Sequence, residues 1–85
     1  MDLVARDGSE LVIVEVRTRS SERFGGSAAS IDSRKRQRII RATQLLLQRY
    51  NELAKMRVRF DVVLVRDIQT AEPRVEWIKA AFGAC

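Results

Sequence analysis

The chain has 85 residues, 46% of them hydrophobic and 32% charged, with a net charge of +5, one cysteine and no histidine. That length holds a single domain with a thin core, burying about 60–65% of the unfolded surface. The lack of histidine excludes imidazole-based triads and Cys/His zinc sites, and the lone Cys85 excludes an internal disulfide or a thiolate zinc site, which leaves carboxylates, lysine, arginine and hydroxyls for chemistry.

Along the chain, residues 3–6 (LVAR) form a short strand candidate, and Asp7-Gly8-Ser9 after it is a hairpin signal. Residues 11–19 (LVIVEVRTR) are rich in β-branched side chains and predict a strand. Residues 20–30 are small and polar with two glycines, a loop, after which Ser30 or Asp32 can cap a helix. The helix is expected over 32–54. Ile39, Ile40, Ala42, Thr43, Leu46, Leu47, Tyr50 and Leu53 share one arc, and Arg34, Arg38, Arg41 and Arg49 lie opposite. Residues 55–59 read as a basic connector. Residues 60–65 (FDVVLV) predict a strand buried on both faces. Residues 68–73 read as a turn, 75–78 (VEWI) as an edge strand and 79–82 (KAAF) as a terminal helical turn. The order β-β-α-β-β, with a strand–helix–strand crossover, predicts an α/β fold on a mixed sheet.

Charge narrows the partners. Thirteen of the sixteen basic residues are arginine, whose fork fits phosphate, so the excess points to nucleic acid. Solubility, or the arginine usage of a GC-rich genome, is the plainer explanation. Apolar stretches of four or five residues fall far short of the roughly 20 that span a bilayer, and no signal-peptide pattern is present. A cytoplasmic protein with no membrane partner is expected.

Alternation on strand 11–19 puts Val12, Val14, Val16 and Thr18 on one face and Leu11, Ile13, Glu15, Arg17 and Arg19 on the other. Glu15 therefore interrupts an apolar strand, a costly place for a carboxylate without a partner. With the turn at 7–9, residues 2–6 pair roughly with 10–15, so Asp2 can approach Glu15 across the ladder. Two carboxylates with a cation beside them suit a hard divalent metal. An ordinary Glu15–Arg17 ion pair on a solvated face explains the same residues.

The stretch DLVARDGSELVIVEVRTRSSERFGG resembles the motif region of the YraN family, small bacterial proteins with the PD-(D/E)XK, restriction-endonuclease-like fold, similar to archaeal Holliday-junction resolvases. IDSRKRQRIIRAT resembles that family's helix start, RFDVVLV its next strand and VEWIKAAF its C-terminal end, in the right order over essentially all of the chain. The resemblance implies a restriction-endonuclease-like core and a Mg²⁺-dependent nuclease, with Mn²⁺ as the alternative ion. Asp2 matches the motif aspartate and Glu15 the glutamate of the Glu-x-Lys element, and these two would hold the metal. Arg17 stands where the family usually has lysine, and Lys35 matches a lysine at the start of the helix. DNA, branched or double-stranded, is the implied substrate.

Two departures qualify this. The family has an N-terminal helix and a Gly-Glu-Ile segment before the aspartate, whereas here Met1 directly precedes Asp2, so the chain reads as a truncated domain whose bare sheet favours a homodimer. Arg17 stays charged and cannot accept a proton, though it can still bind phosphate.

Arg34, Lys35, Arg36, Arg38 and Arg41 put five basic residues in an eight-residue window with no acid. The four arginines are candidate DNA contacts or a solvated face. Lys35 can reach the metal site or sit solvated in a fraying first turn. Arg19 and Arg23 flank the glycine loop as candidate phosphate ligands. Asp61, on a buried strand, is expected to pair with an arginine and not to bind metal. Trp77 is expected to pack in the core or an interface, and Cys85 to be passive. A catalytically degenerate nucleic-acid-binding module and a basic structural domain with a protein partner are the alternative functions.

Overall fold

A computed structural model describes residues 2–19, 31–66 and 70–83. Its elements are β1 (Leu3–Asp7), β2 (Glu10–Arg19), α1 (Ser33–Arg49), a 3₁₀ turn (Leu53–Lys55), β3 (Arg57–Arg66) and β4 (Arg74–Phe82). They build the α/β arrangement the sequence predicts. One mixed sheet has the order β1-β2-β3-β4, with β2 and β3 parallel and both outer pairs antiparallel. Helix α1 makes the crossover between the two central strands.

The hairpin forms where expected. Asp7 pairs with Glu10 and Leu3 with Val14. Gly8 has φ +60°, and no other described residue of the turn has positive φ, so glycine holds the first central position of a two-residue II′ turn. A side chain there would be strained.

The core follows from alternation. Leu11 and Ile13 of β2, with Phe60 and Val62 of β3, face α1 and pack with Ile31 and Ile39. Val12, Val14 and Val63 lie on the far face. Leu3, Val16, Val75 and Trp77 share that far face by register and are exposed. Inside α1, Thr43 is buried, and its hydroxyl is satisfied by donating to the Ile39 carbonyl at 2.8 Å.

Asp32 caps the helix, its Oδ1 accepting the Lys35 backbone N–H at 2.8 Å. That bond holds the Asp32 carboxyl below its usual range, with Arg34 and Arg38 adding to the effect. Ser30, the other capping candidate, lies outside the described residues, as do the loop over 20–30 and the start of the predicted turn.

The largest differences from the sequence reading lie at the helix end, the start of β3 and residues 79–82. The helix stops at Arg49, not 54, and β3 starts at Arg57, not 60. Both shifts have one cause. Strand β3 pairs with β2 from Glu10 onward, Glu10 opposite Arg57, and this ladder draws residues 57–59 into the sheet. The chain must therefore turn over 50–56, and the 3₁₀ turn lays Leu53 and Met56 against the core. Tyr50 leaves helical geometry and is exposed, not part of the buried arc. Finally, residues 79–82 are strand and not a helical turn. The register jumps from Val62–Ile78 to Phe60–Phe82, a bulge in which Ala80 takes φ +52°. Two contacts override the helix propensity of Lys-Ala-Ala: the Phe60 and Phe82 rings stack at 5.0 Å, and the Ala80 N–H donates to Asp61 at 2.9 Å.

Candidate functional site

Strand alternation turns Glu15 toward α1, where it is 5% exposed. The crossover returns the chain so that the first turn of α1 sits over the C-terminal half of β2. Lys35, in that turn, places its Nζ 2.7 Å from Glu15 Oε2. This juxtaposes two residues 20 positions apart. The sequence left Lys35 between reaching the metal site and sitting solvated; its ammonium meets Glu15 and its side chain is half exposed. The two ends of the pair differ in solvation: the Lys35 side chain is 47% exposed and that of Glu15 6%.

Asp2 joins from the neighbouring edge. Its backbone N–H donates to the Val14 carbonyl at 3.0 Å, and its Oδ2 accepts the Val16 N–H at 2.7 Å. These bonds bracket Glu15 and pin a second carboxylate beside it on an otherwise exposed chain segment. Arg17 follows on the Glu15 face, half-buried, opposite Leu64 of β3. Asp2, Glu15 and Arg17 thus lie along the C-terminal half of β2, with Lys35 meeting Glu15.

The other basic candidates separate. At 100° per residue, Arg34, Arg38 and Arg41 lie on the flank of α1 away from the sheet, whereas Lys35 and Arg36 lie either side of the inward line through Ile39 and Thr43. Arg34, Arg38 and Arg41, with Gln37 and Gln44, line an open groove of about 520 Å³. All three arginines and Arg36 are exposed. No acidic residue lies within α1, and this is a solvent-facing row of positive charge whose nearest acid is the capping Asp32. Arg19 ends β2 opposite Arg66, and Arg23 lies outside the described residues.

A second charged cluster occupies the other sheet face. Asp61 is fully buried, and both its oxygens are occupied. Arg59 Nε donates to Oδ1 at 2.9 Å and Nη2 to Oδ2 at 3.0 Å, a bidentate fork. Trp77 Nε1 donates to Oδ2 at 2.7 Å, and the Ala80 N–H completes the set. Arg59 Nη1 also reaches Asp7 at 3.1 Å and Glu10 at 3.0 Å, tying the hairpin to β3 and β4. Burial alone would raise the Asp61 pKa, but the Arg59, Trp77 and Ala80 donors outweigh it and hold the carboxyl below its usual range. Asp61 pairs with an arginine, as expected. The sequence reading missed that the partner is Arg59, which it assigned to a connector. An Arg-x-Asp spacing on one strand face was the signal available.

Carboxylate oxygens are the donors that Mg²⁺ favours, and Mg²⁺ sites commonly use one or two carboxylates completed by water and phosphate. Asp2 and Glu15 provide that number, and the ammonium at Glu15 Oε2 marks a position where this carboxylate already holds a cation. The donor set fits a magnesium ion bound largely through water. Among the described residues, no cluster of three or more acidic, cysteine or histidine residues forms a fuller cage.

A family model described as the uncharacterised protein family UPF0102 matches residues 1–65. A UPF0102 protein of Xanthomonas oryzae pv. oryzae is 50% identical over 84 residues, covering 99% of this chain and 66% of that protein. The chain belongs to the UPF0102 family. This is the YraN family that its motifs resemble. UPF0102 proteins of Pseudomonas paraeruginosa and Pseudomonas fluorescens are 47% and 45% identical, each over 99% of this chain and 68% of their own length. The chain thus spans about two thirds of the length of the curated relatives it matches. Among the described residues of this UPF0102 protein, no helix is long and apolar enough to cross a membrane.

Proposed function

We propose that this UPF0102 chain is a Mg²⁺-dependent endonuclease-like protein acting on DNA phosphodiesters, branched or junction DNA among them. The observation that carries the reading is the Glu15–Lys35 pair at 2.7 Å, with Asp2 pinned alongside. Carboxylates suit a divalent ion and an ammonium suits the charge that develops on a phosphodiester, and the motif resemblance implies the same residues.

Asp2 and Glu15 would hold the ion. A bound Mg²⁺ supplies Lewis acidity at the phosphate and a water of lowered pKa. The chain's own residues do the rest. Strand β2 and the Val16 N–H fix both carboxylates before substrate arrives, so little reorganisation is needed. Lys35, half-exposed at the helix start, faces the place a phosphate would take beside Glu15 and offsets its developing charge. Arg17 adds a permanent positive charge on the same face without accepting a proton. Arg34, Arg36, Arg38 and Arg41 attract the backbone without reading sequence, as do Arg19 and Arg23 in this reading.

The test is Mg²⁺-dependent nicking of a branched duplex. Asp2→Asn and Glu15→Gln should each lower nicking at least a hundredfold while the fold, checked by circular dichroism, persists. Nicking that survives both changes refutes the assignment. Arg17 favours a second reading, a module that holds DNA without cutting it. If Arg17→Lys confers turnover with binding unchanged, that second reading is correct for the natural chain; if the wild type already cuts, it fails.

A further inference from the structure

We propose that Lys35 is a built-in counter-cation of Glu15, which a divalent ion must displace before the site can load. The inference rests on the reading of Glu15 as a metal-holding carboxylate. It adds that the empty and loaded states of the site differ in where the Lys35 ammonium sits.

Three observations carry it. First, Lys35 Nζ lies at 2.7 Å from Glu15 Oε2, a full contact ion pair, so one oxygen of the ligand carboxylate is engaged by a positive charge. Second, the Glu15 side chain is 6% exposed and is held within the packed face of β2, whereas the Lys35 side chain is 47% exposed and has solvent to turn into. Third, the backbone around Lys35 is held independently of its side chain, because its own N–H is capped by Asp32 at 2.8 Å. The helix start therefore stays in place when the ammonium moves.

A divalent ion and an ammonium cannot both sit on one carboxylate oxygen without strong repulsion. A nearly buried glutamate with no cation at all would carry a desolvation penalty. Lys35 offsets part of that penalty in the metal-free protein and in doing so competes with the ion. On loading, the lysine turns outward along its flexible stem into the space a phosphate would occupy. The ion thus gains most when polyanion is present to receive the released ammonium. Metal and nucleic acid then bind cooperatively, through one side chain whose two positions they each bias.

The experiment is calorimetric titration of the folded chain with MnCl₂ in the absence of nucleic acid. Lys35→Met should bind Mn²⁺ about tenfold more tightly than the wild type. Lys35→Arg, which keeps the charge, should stay close to the wild type. Lys55→Met, the same loss of charge at a residue outside the site, should leave the affinity unchanged. Equal tightening by Lys35→Met and Lys55→Met would mean a bulk-charge effect and would overturn the proposal. Unchanged or weaker binding by Lys35→Met would also overturn it while leaving the metal site intact. If the wild type and every variant fail to bind Mn²⁺, the reading of Glu15 as a metal ligand falls as well.

Discussion

Asp61 and Glu15 are both acidic residues on the two central parallel strands, and both are nearly cut off from water. They are solved in opposite ways. Asp61 is saturated: a guanidinium fork, an indole and a backbone N–H fill its two oxygens, all supplied by β3 and β4. Its main partner, Arg59, is itself only 13% exposed and is shared with Asp7 and Glu10. Glu15 is instead met at Oε2 by an ammonium from a different element that is half in solvent. A closed network leaves nothing to exchange, so Asp61 holds the sheet together. A buried carboxylate whose cation can leave is a place where another cation can arrive. Burial of charge alone does not distinguish structure from function; the replaceability of the partner does.

The largest effect that tests this contrast is Asp61→Asn. It strips one charge from a buried pair, turns one acceptor into a donor and leaves Arg59 with only its more exposed partners, Asp7 and Glu10. We expect a loss of about 3–5 kcal/mol in urea denaturation, a large share of the stability of a domain this size. By contrast Glu15→Gln, an isosteric change opposite a half-exposed partner, should cost about 1 kcal/mol or less. Comparable losses for the two would erase the distinction drawn here. The smaller changes sharpen it. Trp77→Phe removes one of the four donors to Asp61 and should cost about 1 kcal/mol. Ala80→Gly relieves a left-handed alanine and should gain about 0.5 kcal/mol, provided the Asp61 bond is kept.

Acid titration probes the same network. The Asp61 carboxyl is held below its unfolded value of about 3.9, so its contribution to stability is complete above that pH and drains away as pH falls through the lower folded value. Fluorescence of Trp77, the only tryptophan, should therefore report loosening of the network only below about pH 4. A transition centred well above that would mean another group controls acid stability.

Strand alternation made the central sheet legible. The β-branched run over 11–19 and the apolar run over 60–65 gave both central strands, and Gly8 gave the hairpin. The same alternation put Glu15 on the helix face, and the spacing from the turn brought Asp2 beside it. What the sequence hid depends on tertiary partners. Arg57 and Arg59 look like connector charges until β2 pulls them into register. Lys79-Ala80-Ala81 looks helical until Phe60 and Asp61 hold it as a bulged strand. The division of the helix cations into a far flank (Arg34, Arg38, Arg41) and a sheetward pair (Lys35, Arg36) was already contained in the 100° step, but which flank faced the site required the packed sheet.

The central claim is that Glu15 offers its carboxylate to a divalent cation while Asp61 does not. Mn²⁺ titration of the wild type against Glu15→Gln, with both proteins shown to be folded, tests it most directly. One saturable site is expected in the wild type and at least tenfold weaker binding in the variant. Equal Mn²⁺ affinity in the two proteins would contradict it.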